Sequence, residues 1–135
     1  GGIAQGEVAD LINSLTADTP AVYSLPNLEV IKLIESLKIK YKIGLLSNNF
    51  AVWTKIAKRQ SYMSLFDATV FSSDVGLAKP DPKIYLLIIE KLGVLPEECV
   101  FIDNQSDIVE GAIKVGMTAF LYTNPDKLKS DLEKI

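Results

Sequence analysis

Histidine is absent from the 135 residues, and Cys99 and Arg59 are the only cysteine and arginine. Without histidine the chain by itself builds no Ser/His or Cys/His catalytic pair and no His-ligated metal site. A lone cysteine ahead of an apolar run forms neither a disulfide framework nor a four-Cys zinc site, and a buried core thiol is its plain reading. The 17 acidic residues outweigh 14 basic ones for a net charge of -3. With one arginine, that balance argues against a nucleic-acid surface and against an anion clamp built from guanidinium groups. No apolar run reaches the roughly 18 to 20 residues of a membrane span, and no basic stretch leads into an apolar one at the start. The expectation is a cytoplasmic protein with no nucleic-acid or membrane partner. Carboxylates, lysines and hydroxyls remain to carry chemistry, which suits a small neutral or metal-assisted anionic substrate.

What is present is ordinary for one folded core: 48% hydrophobic residues, eight glycines and six prolines. Val8, Leu11, Ile12 and Leu15 share a helical face too short to stand alone. Asn27 is a candidate N-cap for a helix in which Val30, Ile31, Ile34 and Leu37 recur at helical spacing. A strand over 41–46 follows, then a helix over 51–58 and a strand over 69–72. Pro80 and Pro82 open a helix whose face is Ile84, Tyr85, Ile88, Ile89 and Leu92, and Gly93 ends it. After a strand over 99–102, Ser106 is a candidate cap for a helix carrying Val109, Ala112 and Ile113 up to Gly116. A fourth strand over 118–122 and a helix from Pro125 complete the chain. Continuous apolar strands alternating with helices predict an α/β fold, a parallel sheet covered on both faces.

Three of these strands run directly into polar residues: Leu46 into Ser47-Asn48-Asn49, Phe71 into Ser72-Ser73-Asp74 and then Lys79-Pro80, and Ile102 into Asp103-Asn104. Open parallel sheets bind ligands beyond the carboxyl ends of their strands, so the site is expected there. Ser47 and the following backbone N–H groups offer an anion donors, or simply cap and turn the chain. Lys79 is stiffened by the prolines after it and can neutralise a phosphoryl oxygen. Asp103 is costly directly after Val-Phe-Ile without a cation or hydrogen-bond donors, so it faces a ligand or pairs with Lys79. Asp74, Asp81 and Asp107 read as turn or cap residues.

The order Gly44-Leu45-Leu46-Ser47-Asn48-Asn49, Gly76-Leu77-Ala78-Lys79-Pro80-Asp81-Pro82, then Phe101-Ile102-Asp103-Asn104 through Val115-Gly116-Met117 resembles the haloacid dehalogenase-like hydrolase superfamily over about residues 25–124. The resemblance implies a Rossmann-like core and a hydrolase, most readily a phosphatase of a small phosphorylated metabolite working through an aspartyl-phosphate. It implies that Ser47 and Asn48 bind the phosphoryl group, that Lys79 neutralises it, and that Asp103 and Asn104 face a magnesium ion. Residues 1–24 resemble the returning end of a helical cap and 25–135 an incomplete core.

The chain departs from the family's pattern in three places. No Asp-x-Asp-x-Thr-like strand precedes Ser47, so the nucleophile is expected upstream in a longer protein, and the chain as given is expected to be inactive. That strand would be the central one, and its absence predicts a gap between the strand ending at Ser47 and the strand ending at Asp103. Asn104 stands where many relatives carry an acidic metal ligand, and Ile108 where relatives often carry a polar residue. A haloacid dehalogenase, which in this family works without metal, and a non-catalytic binding domain of the same fold are the alternatives.

Overall fold

The computed structural model describes residues 28–134. The segment read as a cap remnant, the candidate cap Asn27 and the boundary at residue 24 lie outside the described residues. Helix α1 (Leu28–Lys38) leads to strand β1 (Gly44–Ser47), helix α2 (Ala51–Lys58), a 3-10 turn (Ser61–Leu65) and strand β2 (Ala68–Phe71). A one-turn helix α3 (Ser72–Val75) and helix α4 (Pro82–Leu92) precede a second 3-10 turn (Pro96–Glu98) and strand β3 (Val100–Asp103). Helix α5 (Ser106–Lys114), strand β4 (Thr118–Leu121) and helix α6 (Pro125–Leu132) close the order.

The expected parallel pairing is present, in two separate ladders. β1 pairs with β2, Leu46 opposite Val70, and β3 pairs with β4, Ile102 opposite Phe120. Among the described residues no strand joins β1 to β3. Backbone parity shows which edges are left. Ile43 accepts the Asp67 N–H on the β2 side, and Cys99 and Asp103 accept the Thr118 and Tyr122 N–H groups on the β4 side. Carbonyls alternate along a strand, so that of Leu46 points away from β2. It accepts the Lys79 ammonium instead, at 3.1 Å.

Side chains alternate across both ladders and bury against helices on the two faces. Leu45, Phe71, Val100 and Ile102 pack with Ile34 of α1, Ala57 of α2 and Leu128 of α6. Leu46, Val70 and Phe101 pack with Ile84, Tyr85 and Ile88 of α4 and with Ile108 and Ala112 of α5. Each core takes residues from both ladders, so a full burial of about 1.5 to 3 kcal/mol per large apolar side chain ties the two halves together. Cys99 is buried, as expected.

Helix ends follow their local chemistry, with one correction. Asp81 caps α4 by accepting the Lys83 N–H at 2.9 Å, Pro82 opens the helix, and Gly93 closes it at φ +69°, where a side chain would be strained. The expected cap of α5, Ser106, is instead its first helical residue; the cap position is Gln105, which makes no side-chain capping bond. Gln105 donates its own N–H back to Asp103 at 3.0 Å, so the turn into α5 is organised by the strand-end carboxylate. No described helix is long and apolar enough to cross a membrane.

Candidate functional site

The three strand ends singled out from the sequence converge. Lys79 reaches in from the loop after α3, and its Nζ lies 2.9 Å from Asp103 Oδ2 at the end of β3 and 3.1 Å from the Leu46 carbonyl near the end of β1. The pair is closed off from water, with side-chain exposures of 3% and 1%. The ammonium also lies 5.9 Å from the Phe101 ring centre, on its attractive face. A buried carboxylate needs its remaining lone pairs used, and Asp103 Oδ1 accepts the Gln105 N–H.

Asn48 holds the lysine in place from the β1 side. Its Nδ2 donates to the Lys79 carbonyl at 3.1 Å and its Oδ1 accepts the Lys79 N–H at 2.9 Å. The amide therefore spends a donor and its acceptor on the backbone of Lys79. The bond between Lys79 and Pro80 is cis. One helix further on, Gly111 lies against this loop. A Cβ there would come within 2.9 Å of Pro80 Cβ and 2.8 Å of the Tyr85 hydroxyl, itself bonded to the Ile108 carbonyl at 2.6 Å. Ile108 is thus a core residue, buried in the cluster that includes Ile84, Tyr85 and Ile88 of α4.

Ser47 is fully buried, and its Oγ accepts from Asn49 Nδ2 at 2.8 Å. An oxygen accepting there leaves its own hydrogen to be donated elsewhere. Asn49 is held in turn by Ser72, whose hydroxyl accepts the Asn49 N–H at 2.8 Å and donates to its carbonyl at 3.2 Å. Ser73 pairs with Thr54 at 2.6 Å. The Asn49 N–H, read from sequence as a donor to an anion, is spent on Ser72, and Ser72 was given no site role from sequence. The available signal was that β1 and β2, neighbouring strands, both end in short polar residues.

Asn104 is exposed directly after Asp103. Asp74 is drawn off to Lys58 at 2.7 Å, Asp81 caps α4, and Asp107 is exposed in the first turn of α5. These three stand outside the Lys79–Asp103 centre; Asp81 takes the cap position read for it, whereas Asp74 and Asp107 lie inside the first turns of α3 and α5, whose cap positions are Phe71 and Gln105. Among the described residues no three His, Cys, Asp or Glu side chains are grouped as a metal site. Asp103 and Asn104 are hard oxygen donors, a type that magnesium accepts with water and phosphate oxygens completing its shell.

Comparisons with known proteins give the family and the fold. A family model described as haloacid dehalogenase-like hydrolase matches residues 7–116. The chain is 35% identical over 88 residues to the chloroplast flavin mononucleotide hydrolase 1 of Arabidopsis thaliana, covering 64% of this chain and 36% of that protein. It is 34% identical over 104 residues to the glyceraldehyde 3-phosphate phosphatase of Methanopyrus kandleri, covering 74% and 44%. The chain thus spans less than half the length of these two relatives. A haloacid dehalogenase-family enzyme from Bacteroides thetaiotaomicron, crystallised with magnesium and inorganic phosphate, shares the fold at a TM-score of 0.66 and 24% identity, covering 76% of this chain and 58% of that one.

Proposed function

The chain belongs to the haloacid dehalogenase-like hydrolases, and on that premise we propose that it forms the core of a phosphatase acting on a small phosphorylated metabolite. The observation that carries this reading is the buried Lys79 ammonium at the joint strand ends, 2.9 Å from Asp103, with the Ser47 hydroxyl, held by Asn49, closing strand β1. In this reading Ser47 donates to a phosphoryl oxygen, and Lys79 neutralises the negative charge that grows there in the transition state. Fixed donors in a dry site, aimed at developing charge, supply most of the rate enhancement in such reactions. Asn48 serves the phosphoryl group by fixing the Lys79 backbone, and its own N–H group is the part directed to substrate. Asp103 orients the ammonium. The nucleophile in this proposal is an aspartate on a preceding strand of a longer protein, since the sequence holds no Asp-x-Asp-x-Thr-like pattern.

Magnesium is the proposed cofactor, with Asp103 and Asn104 among its ligands. When bound, the ion neutralises phosphoryl charge alongside Lys79. An amide in place of a second carboxylate predicts weak binding, because a neutral oxygen contributes less to a hard dication. The test is phosphate release from monoesters by the full-length protein with magnesium and with a chelator, for the native sequence and for Ser47→Ala. Turnover is expected to need the metal and to fall about 10²-fold in the variant, the usual cost of one lost transition-state donor. Unchanged turnover in Ser47→Ala would refute the role given to that hydroxyl, and metal-free halide release from a 2-haloacid would move the assignment to a dehalogenase.

A further inference from the structure

A cleft of about 620 Å³ opens beside the phosphoryl position, lined by Asn48, Asn49, Phe50, Ser72, Ser73 and Leu77 among others. That volume lies within the range of about 300 to 1,000 Å³ that small-molecule sites occupy, and Asn48 is common to the cleft wall and the Lys79 clamp. The chemistry of the wall is distinctive. Among the described lining residues none carries a charge. Its polar side chains are already engaged: Asn48 with the Lys79 backbone, Asn49 with Ser47, Ser72 with the Asn49 backbone and Ser73 with Thr54. Most of the surface left for a ligand is apolar, from Leu77, the two alanines 51 and 78, and above all Phe50, which is 79% exposed. Gly76 also lines the cleft, and a Cβ added there would meet nothing within 4 Å.

We propose that this cleft holds the leaving group of the substrate, and that it selects phosphate monoesters of uncharged, flat, ring-bearing alcohols over those of small polyols. The proposal rests on the phosphatase reading for its phosphoryl end. A ring laid on Phe50 and Leu77 gains contact without asking for hydrogen bonds that the wall has spent on itself. A polyol placed there gives up water for few partners. A second charged group meets no counter-ion among the lining residues.

The experiment is equilibrium binding of 2-naphthyl phosphate to the full-length protein, followed by the ligand's own fluorescence, with glycerol 3-phosphate measured by competition. Naphthyl phosphate is expected to bind about ten-fold tighter or better, the scale of one aromatic contact plus ring burial. Phe50→Ala, whose side chain is too exposed to threaten the fold, is expected to weaken naphthyl phosphate by about two- to twelve-fold and to leave glycerol 3-phosphate unchanged. Equal affinity for the two esters, or an equal loss of both in Phe50→Ala, would overturn the proposal. Phosphate release from the same samples separates the two readings. Preference without turnover supports the cleft and sinks the phosphatase, whereas turnover without preference does the reverse.

Discussion

Removing Lys79 tests stability and chemistry together, and the structure says how to separate them. Lys79→Met leaves the fully buried Asp103 carboxylate with the Gln105 N–H as its only hydrogen-bond donor among the described contacts. Breaking a buried ion pair from one side costs about 3 to 5 kcal/mol, because the remaining charge is neither solvated nor paired. Against a typical total of about 5 to 15 kcal/mol, that loss unfolds a substantial fraction of a marginal domain. Asp103→Leu removes the carboxylate from an ammonium that keeps its bond to the Leu46 carbonyl, and should also be destabilising. The double variant Lys79→Met/Asp103→Leu removes both charges, and apolar replacements of a buried pair are often neutral or stabilising by about 1 to 4 kcal/mol. Urea denaturation of the full-length protein and the three variants should therefore give two strongly destabilised singles and a double close to the native sequence. The coupling should be several kcal/mol, and all three variants should lack turnover. Additive single effects below about 1 kcal/mol, the range of exposed pairs, would refute the buried, water-excluded pair on which the site is built.

Two further outcomes are expected. Gly111→Ala places a methyl group within 2.9 Å of Pro80 Cβ and 2.8 Å of the Tyr85 hydroxyl; the overpacking should cost about 1 to 3 kcal/mol and displace the residue that follows Lys79, so an unchanged melting temperature would contradict the contact. Asp131 has its carboxyl held below the ordinary carboxylate range, first by the Lys127 ammonium bonded at 2.6 Å and further by Lys134. A depressed folded-state value gives stability that is present above the unfolded pKa of about 3.9 and is lost as pH falls through the folded value. Asp131→Asn should accordingly flatten the acid side of the stability curve below about pH 4, read from urea midpoints across that range; an unaltered acid slope would remove Asp131 as a source of acid sensitivity.

The departures from the expected pattern also acquire physical meanings. Ile108 does not leave a hole in a polar site. It joins the buried cluster of α4 and offers its carbonyl to Tyr85. The interval between β1 and β3, expected from the missing central strand, coincides with the absence of any ladder joining those strands among the described residues. Lys79 reaches the Leu46 carbonyl on that edge, so at least one backbone acceptor there is satisfied by a side chain.

The alternation of apolar strands and amphipathic helices was legible from residue order alone, because it depends on local periodicity and on breakers such as Pro82 and Gly93. The polar groups at three strand ends were legible for the same reason: an acid after Val-Phe-Ile is conspicuous wherever the chain goes. Asn49 and Ser72 were legible as strand-end polar residues but not as partners of one another, and Gly111 gave little signal. Their parts arise from contacts across the fold, 23 residues apart between Asn49 and Ser72, and between Gly111 and Pro80 on different elements. Asn48 stood out as a donor for an anion, yet only the tertiary fold turns its amide onto the Lys79 backbone. Residue order thus determines which groups reach the carboxyl edge of the sheet. Tertiary packing decides which of them are spent on one another and which are left for a ligand, because hydrogen-bond partners and exclusion of water depend on distances that no local pattern encodes.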